Sequence, residues 1–429
     1  TGVQTCALPI WAAPSHRRQF EASPCTSTIG TPSAAAGRGQ CNARNETPSR
    51  VSNLCSTGIT PSFSQCRARI VHGGPTVLGF VQVFKRGTAM KLSMGLGYAG
   101  GFKESVQRVV ELEKAGLDQV WVAEAYSFDA ISQVGYLAAI TDRVEIGTGI
   151  LNVYSRTAAL MAMTAAGCDY VSEGRFILGL GASGPQVVEG WYGHPYPKPL
   201  ARTREYVEII RQIVRRDQPV DYHGAFYDMP YKGGANLGKP LKSTIHPFRS
   251  EIPIFLGAEG PKNVALAGEI CDGWLPLFFS PKEDAFYRNC LAEGFAKSGE
   301  VNKADRFEVA IPITVVPGDD VEKCADAVRP FLALYAGGMG ARGANFHFEV
   351  FARMGYEDVA LKVQDLYLAG KKNEAAAAIP LSMVEDVALV RPIAKIRDEA
   401  AKWRETCITT FLVGGPAPML SKYAEALLG

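Results

Sequence analysis

From Met90 onward the chain alternates short apolar runs with longer amphipathic stretches, and this rhythm constrains the fold more than any other feature. The apolar runs are KLSMGLGY (91–98), QVWVAEAY (119–126), VEIGTGIL (144–151), RFILGLGA (175–182), EIPIFLGA (251–258), DGWLPLFF (272–279), RFEVAIPITVV (306–316) and TCITTFLVGG (406–415). Helical patterns follow them at about 102–115, 129–140, 157–170, 201–216, 261–271, 282–297, 319–335 and 417–428. In 201–216, for example, Tyr206, Val207, Ile210, Ile213 and Val214 share one face, with Arg and Glu opposite. Strands that are apolar on both faces belong in a parallel sheet covered by helices. Such strand–helix units in series, eight of them here, predict an α/β fold, a (β/α)8 TIM barrel with insertions. A doubly wound open sheet is the alternative. The strand count and the lack of a GxGxxG fingerprint after the first strand argue against it. Two stretches break the rhythm: 217–250, which opens with the hairpin-like VDYHGAFYDMPY, and a largely helical 345–405.

Residues 1–89 differ in kind. Residues 1–75 are rich in Ser, Thr, Pro, Gly and Arg, show no periodicity of strand or helix, and lack the ordered regions of a signal peptide. The opening TGVQTCALPI resembles translated adaptor read-through, and the expectation is a disordered or spurious extension with the natural start near Met90. Residues 1–89 hold nine Lys/Arg and two Asp/Glu, which leaves 36 and 41 for the remainder. The barrel part is therefore mildly acidic, without a nucleic-acid footprint. Five cysteines fall in 1–89, and the other five, Cys168, Cys271, Cys290, Cys324 and Cys407, are widely spaced within apolar segments. Neither zinc spacing nor a disulfide framework is visible, and buried free thiols in a reducing cytoplasm are expected. No apolar run approaches the roughly 20 residues that span a bilayer.

Barrel sites form from loops at the carboxyl ends of the strands. Here those ends carry Gly97, Glu124, Thr148, Gly149, Ile150, Asn152, Gly181, Ala182, Ser183, Gly184, Gly257, Ala258, Gly260 and Pro261. They are glycine-rich and nearly free of charge, unsuited to a metal or a Ser/His/Asp set. They suit a large planar cofactor that needs close backbone approach. GLGASG (179–184) and GAEGPK (257–262) offer free amides for a phosphate, the second with Pro261 opening a helix, although glycines there also make tight turns. Glu124 is a candidate catalytic carboxylate, or a rim residue paired with an arginine. Asn152 either reaches a ring edge or caps the turn before the helix at Thr157.

These segments resemble the luciferase-like monooxygenase superfamily, in particular its oxidoreductases that use the deazaflavin coenzyme F(420). The resemblance rests on WVAEAY, IGTGILNVYSRTAAL, RFILGLGASGPQVVEGWYG, IPIFLGAEGPKNVALAGEICDGWLP and TFLVGG, in that order, across Met90 to the C-terminus. It implies a cofactor ring across the strand ends, its phosphate near the fourth and fifth strand loops, and a cis peptide at Gly149–Ile150 bulging toward the ring. It implies hydride transfer between coenzyme F(420) and an organic substrate, and a homodimer. Several relatives carry Asp-His where this chain has Glu124-Ala125, so their proton-handling histidine and the sugar-phosphate substrate of one branch are not carried over. An FMN-dependent monooxygenase and a flavin- or deazaflavin-binding protein without turnover are the alternatives, and a metal-dependent barrel hydrolase is the weakest.

Overall fold

A computed structural model describes residues 90–96, 101–340, 342–343, 345–413 and 417–428. The expectation for residues 1–89 lies outside these. Eight strands form the barrel: β1 (Lys91–Leu96), β2 (Gln119–Val122), β3 (Glu145–Thr148), β4 (Phe176–Gly181), β5 (Ile254–Gly257), β6 (Gly273–Leu275), β7 (Glu308–Val315) and β8 (Thr410–Val413). Each pairs in parallel with its sequence neighbours, and the β8–β1 pairing closes the ring, Lys91 opposite Thr410 and Met94 opposite Val413. The helices that clothe it are α1 (Phe102–Lys114), α2 (Ala130–Ile140), α3 (Ala158–Val171), α4 (Pro199–Arg215), α5 (Pro261–Ile270), α6 (Asp284–Ser298), α7 (Ile393–Arg404) and α8 (Ala417–Leu428). The expected (β/α)8 barrel is what the chain forms, and the open sheet is excluded by the closed pairing.

The alternation of strand side chains divides the core in two. Outward residues such as Val120, Ile146, Leu178 and Ile254 join the helices in the main hydrophobic cluster. Inward residues form layers. At the amino ends of the strands, Lys91 Nζ lies 3.0 Å from Glu145 and 2.8 Å from Glu308, and Gln119 Nε2 donates to both carboxylates at 3.0 and 3.2 Å. Burial disfavours the charged lysine, but the two glutamates outweigh it and hold its pKa above the ordinary value. Above this polar floor lie Trp121, Ile177, Phe255, Ala310 and Leu412. The Trp121 indole N–H donates to Gln119 Oε1 at 3.3 Å, which ties the two layers. The neighbouring strand yields to that ring: a Cβ on Gly147 would lie 2.4 Å from it, so a glycine is required there.

The stretch after β7 departs from the expected single helix at 319–335. It is divided into Val321–Asp326 and Arg329–Ala333, followed by a wide turn at Leu334–Gly338. Pro330 has no N–H to continue the ladder from the first piece. These segments and residues up to Val390 pack into a second cluster, with Phe351, Val363 and Met383 at its centre and Phe278 joining from the loop after β6. The helix beside the barrel and α8 is instead α7, whose Ile396, Ala400 and Trp403 lie in the main core. The hairpin expected early in 217–250 is present as Tyr222–His223 antiparallel to Asp228–Met229. Among the described residues no helix is long and apolar enough to cross a membrane.

Candidate active site

The carboxyl ends of the strands carry the predicted site residues, apart from Gly97, which lies outside the described residues. Glu124, just past β2, has both carboxylate oxygens engaged. Oε1 accepts from Arg156 Nη1 at 2.8 Å, and Oε2 accepts from Arg156 Nη2 and from the Ala130 amide, each at 3.0 Å. Arg156 also meets Asp129 at 2.7 Å, and Asp129 caps α2 by accepting from the Ser132 amide at 2.8 Å. A two-pronged arginine–carboxylate pair of this kind is rigid as well as strong. Glu124 therefore ties Arg156, beyond β3, to the start of α2, with both of its oxygens in hydrogen bonds.

Past β3 the Gly149–Ile150 peptide is cis, at the position the family resemblance implies. The Ile150 side chain lies across the next strand: a Cβ on Gly181 would stand 1.8 Å from Ile150 Cδ1, and one on Gly257 would stand 3.3 Å from Cγ2. Glycine at 181 is what lets Ile150 lie there. Thr148 is fully buried, its hydroxyl donating to the Gly179 carbonyl and accepting the Gly179 amide, both at 2.9 Å. Asn152 makes a turn, its Oδ1 accepting the Tyr154 amide at 2.9 Å, and Thr157 is the residue that caps α3. Thr148 and Asn152 thus shape backbone, and Gly149, Ile150, Gly181 and Gly257 are brought together at the mouth.

The loop after β4 runs through Ala182, Ser183 and Gly184. Ser183 adopts a left-handed conformation, φ 56°, and its carbonyl accepts from the Tyr196 hydroxyl at 2.6 Å. In the loop after β5, Trp274 Nε1 holds the buried Ala258 at its carbonyl at 2.8 Å. Gly260 precedes Pro261 at the amino end of α5, where no side chain caps the helix. Both loops present backbone to the barrel mouth, which suits an anion.

Two side chains have surroundings that the sequence reading did not assign. Glu259, between Ala258 and Gly260, turns its carboxylate inward. Oε1 accepts the Leu277 amide at 2.6 Å, and Oε2 is buried without a partner. Burial raises its pKa to about 8, against the opposing pull of the Leu277 amide and Arg353. Arg353, from the second cluster, donates to the Glu259 carbonyl at 3.2 Å and to the Tyr287 hydroxyl at 3.0 Å. The second feature is Arg202, in the first turn of α4, whose guanidinium lies 5.1 Å from the Tyr154 ring, 4.9 Å from Phe226 and 5.4 Å from Tyr227. Neither has a local sequence signal, because each partner is distant along the chain. Among the described residues no group of three His, Cys, Asp or Glu side chains could hold a metal. Cys168, Cys271, Cys290, Cys324 and Cys407 are free and buried, and burial pushes the thiols of Cys168 and Cys271 up to about 12.

Comparison with known proteins places this geometry. The sequence profile of the luciferase-like monooxygenases matches residues 86–410. A protein of Mycobacterium tuberculosis, provisionally named a coenzyme F(420)-dependent oxidoreductase, is 47% identical over 328 residues, 76% of this chain and 94% of that protein. The 5,10-methylenetetrahydromethanopterin reductase of Archaeoglobus fulgidus is 33% identical over 228 residues, 53% of this chain and 64% of that protein. Among solved structures, the coenzyme F(420)-dependent tetrahydromethanopterin reductase of Methanopyrus kandleri superposes with a TM-score of 0.66, covering 80% of this chain and 98% of that one. At 22% identity, that likeness speaks for the fold.

Proposed function

This chain belongs to the luciferase-like monooxygenase family, and from that premise we infer that it is an oxidoreductase exchanging a hydride between the deazaflavin coenzyme F(420) and a small organic substrate. The observation that carries this reading is the 47% identity across 94% of a relative named for that coenzyme. The residues present fit a planar ring. Gly149, Gly181 and Gly257 carry no Cβ at the mouth, and Ile150 lays an apolar surface across Gly181 and Gly257.

When bound, the deazaflavin supplies the carbon that takes up or releases the hydride, and the protein supplies geometry around it. Ile150 would bear on the ring, and the Ser183–Gly184 and Gly260–Pro261 turns would hold its anionic arm. Glu124 is a positioning residue: it ties Arg156, beyond the turn that carries Gly149 and Ile150, to the start of α2. The Trp121 layer and the polar floor below close the barrel against water from the amino end of the strands.

We also propose that the protein is a homodimer and acts in the cytoplasm. Tyr136 and Ile140 on α2, with Leu160, Met163, Tyr170 and Val171 on α3, expose an apolar stripe on two packed helices. Five unpaired buried thiols fit a reducing compartment. The test of function is binding of coenzyme F(420) and of FMN by the full chain, side by side, read by fluorescence. Selective binding of the deazaflavin, followed by hydride exchange with an organic substrate, is the expected result. Preference for FMN would overturn it in favour of an oxygen-activating monooxygenase, and deazaflavin binding without turnover on any substrate would make it a carrier.

A further inference from the structure

Beside the mouth, next to the loop after β4, lies an arginine whose surroundings leave it unmatched. Arg202 is half-buried among Tyr154, Phe226 and Tyr227, and its one side-chain hydrogen bond within the described residues is a long 3.4 Å contact from Nη1 to the Tyr227 hydroxyl. Among the described residues no carboxylate or carbonyl oxygen accepts from its guanidinium, whose Nε is buried without a partner. The Tyr154 hydroxyl beside it is likewise buried without a partner, on a residue only 7% exposed. A buried donor left unmade costs free energy, and two such donors on side chains packed together, the guanidinium 5.1 Å from the ring centroid, point to an acceptor that arrives from outside.

The cluster is built, not accidental. Glu205, at the end of the second turn of α4, accepts the amides of Ala225, Phe226 and Tyr227 at 2.8, 2.9 and 3.2 Å, and so pins the hairpin tip that supplies two of the three rings. Tyr154 follows the Asn152 turn at the end of β3, and its ring lies 5.7 Å from that of Tyr196. Tyr196 in turn donates to the Ser183 carbonyl at 2.6 Å. The aromatic cage therefore continues directly from the Ser183–Gly184 turn.

We propose that Arg202 and the Tyr154 hydroxyl form an oxyanion-binding site that takes the phosphodiester of the cofactor's side arm. This rests on the deazaflavin reading above. An arginine held between rings, weakly hydrated and without a counter-charge, suits a phosphoryl or carboxylate oxygen. The continuity with the Ser183 turn favours the cofactor over the substrate as its source.

The experiment titrates the full chain with coenzyme F(420) and with its tail-free chromophore, the riboflavin-like deazaflavin that lacks the phosphodiester. Arg202→Met should weaken F(420) binding by about 10- to 100-fold, as loss of a charged hydrogen bond does, and should flatten its salt dependence. Chromophore binding should not change. Tyr154→Phe should weaken F(420) binding by several fold. It should leave the thermal stability of the ligand-free protein equal or higher, because it removes a hydroxyl that has no partner. If both variants bind F(420) as the natural protein does, the site is not for the cofactor's anion and the proposal falls, whether or not substrate turnover changes. Equal weakening of F(420) and the chromophore would also overturn it, since the residues would then act on the ring pocket alone. If the natural protein binds neither ligand, the functional reading fails first and this inference with it.

Discussion

Two glutamates flanked by alanine or glycine stand past the ends of β2 and β5, and their surroundings differ. Glu124 meets an arginine 32 residues further on, so it stays an ion-pair member. Glu259 meets the Leu277 and Phe278 amides, the Arg353 guanidinium and, at one oxygen, no partner, yet burial dominates and its pKa rises from 4.5 to about 8. The folded protein then holds a proton that the unfolded chain releases near the ordinary value. Stability from this group is complete at pH values below 4.5 and falls as the pH climbs toward 8, by up to about 1.4 kcal/mol per pH unit. Glu259→Gln keeps the hydrogen bond from Leu277 and removes the titration. The Tm of the variant, followed from pH 5 to pH 9 on the order of one unit at a time, should decline less than that of the natural chain. Parallel curves would show that Glu259 is already ionised in the folded state.

At the scale of elements, the decisive arrangement is the turn after β3 lying over β4. Gly181→Ala sets a Cβ against Ile150 Cδ1, the end of a flexible side chain, so the barrel should fold while Ile150 is displaced. Overpacking of this sort costs about 1–3 kcal/mol, and F(420) affinity should fall by roughly 10-fold with it. Ile150→Val removes the clashing atom, so the double variant should recover most of both losses. A double-mutant cycle of stability and Kd measures that coupling, and additive effects would show that Ile150 does not bear on β4. The elements themselves were legible in the sequence because parallel strands buried on both faces make continuous apolar runs, and all eight barrel strands lie within the predicted runs. The stretch after β7 was less legible. Its helices bury their apolar sides against one another, not against the barrel, so periodicity alone could not tell them from the barrel's own helix at Ile393–Arg404. The glycines at the strand ends could be read as places of close approach, and at Gly181 and Gly257 it is the Ile150 side chain that approaches. The role of Arg202 could not be read, because the rings that hold it come from Tyr154, before β4, and from the hairpin beyond α4.

For the whole molecule, the apolar stripe on α2 and α3 is the surface that would be costly to leave wet. Gly135 and Gly167 on the same two helices have open space where a Cβ would stand, which allows another copy's backbone to approach closely. Met163, 66% exposed, lies on this stripe. Met163→Glu should convert a dimer into monomers by light scattering with little change in the circular dichroism of the fold. A natural chain that is monomeric at micromolar concentration would remove the reason for the stripe.

The floor of Lys91, Gln119, Glu145 and Glu308 has a consequence for access as well. With that quartet and the Trp121 layer filling the interior, the barrel has no through passage, and the carboxyl ends of the strands are the one face of it at which a ligand can be received.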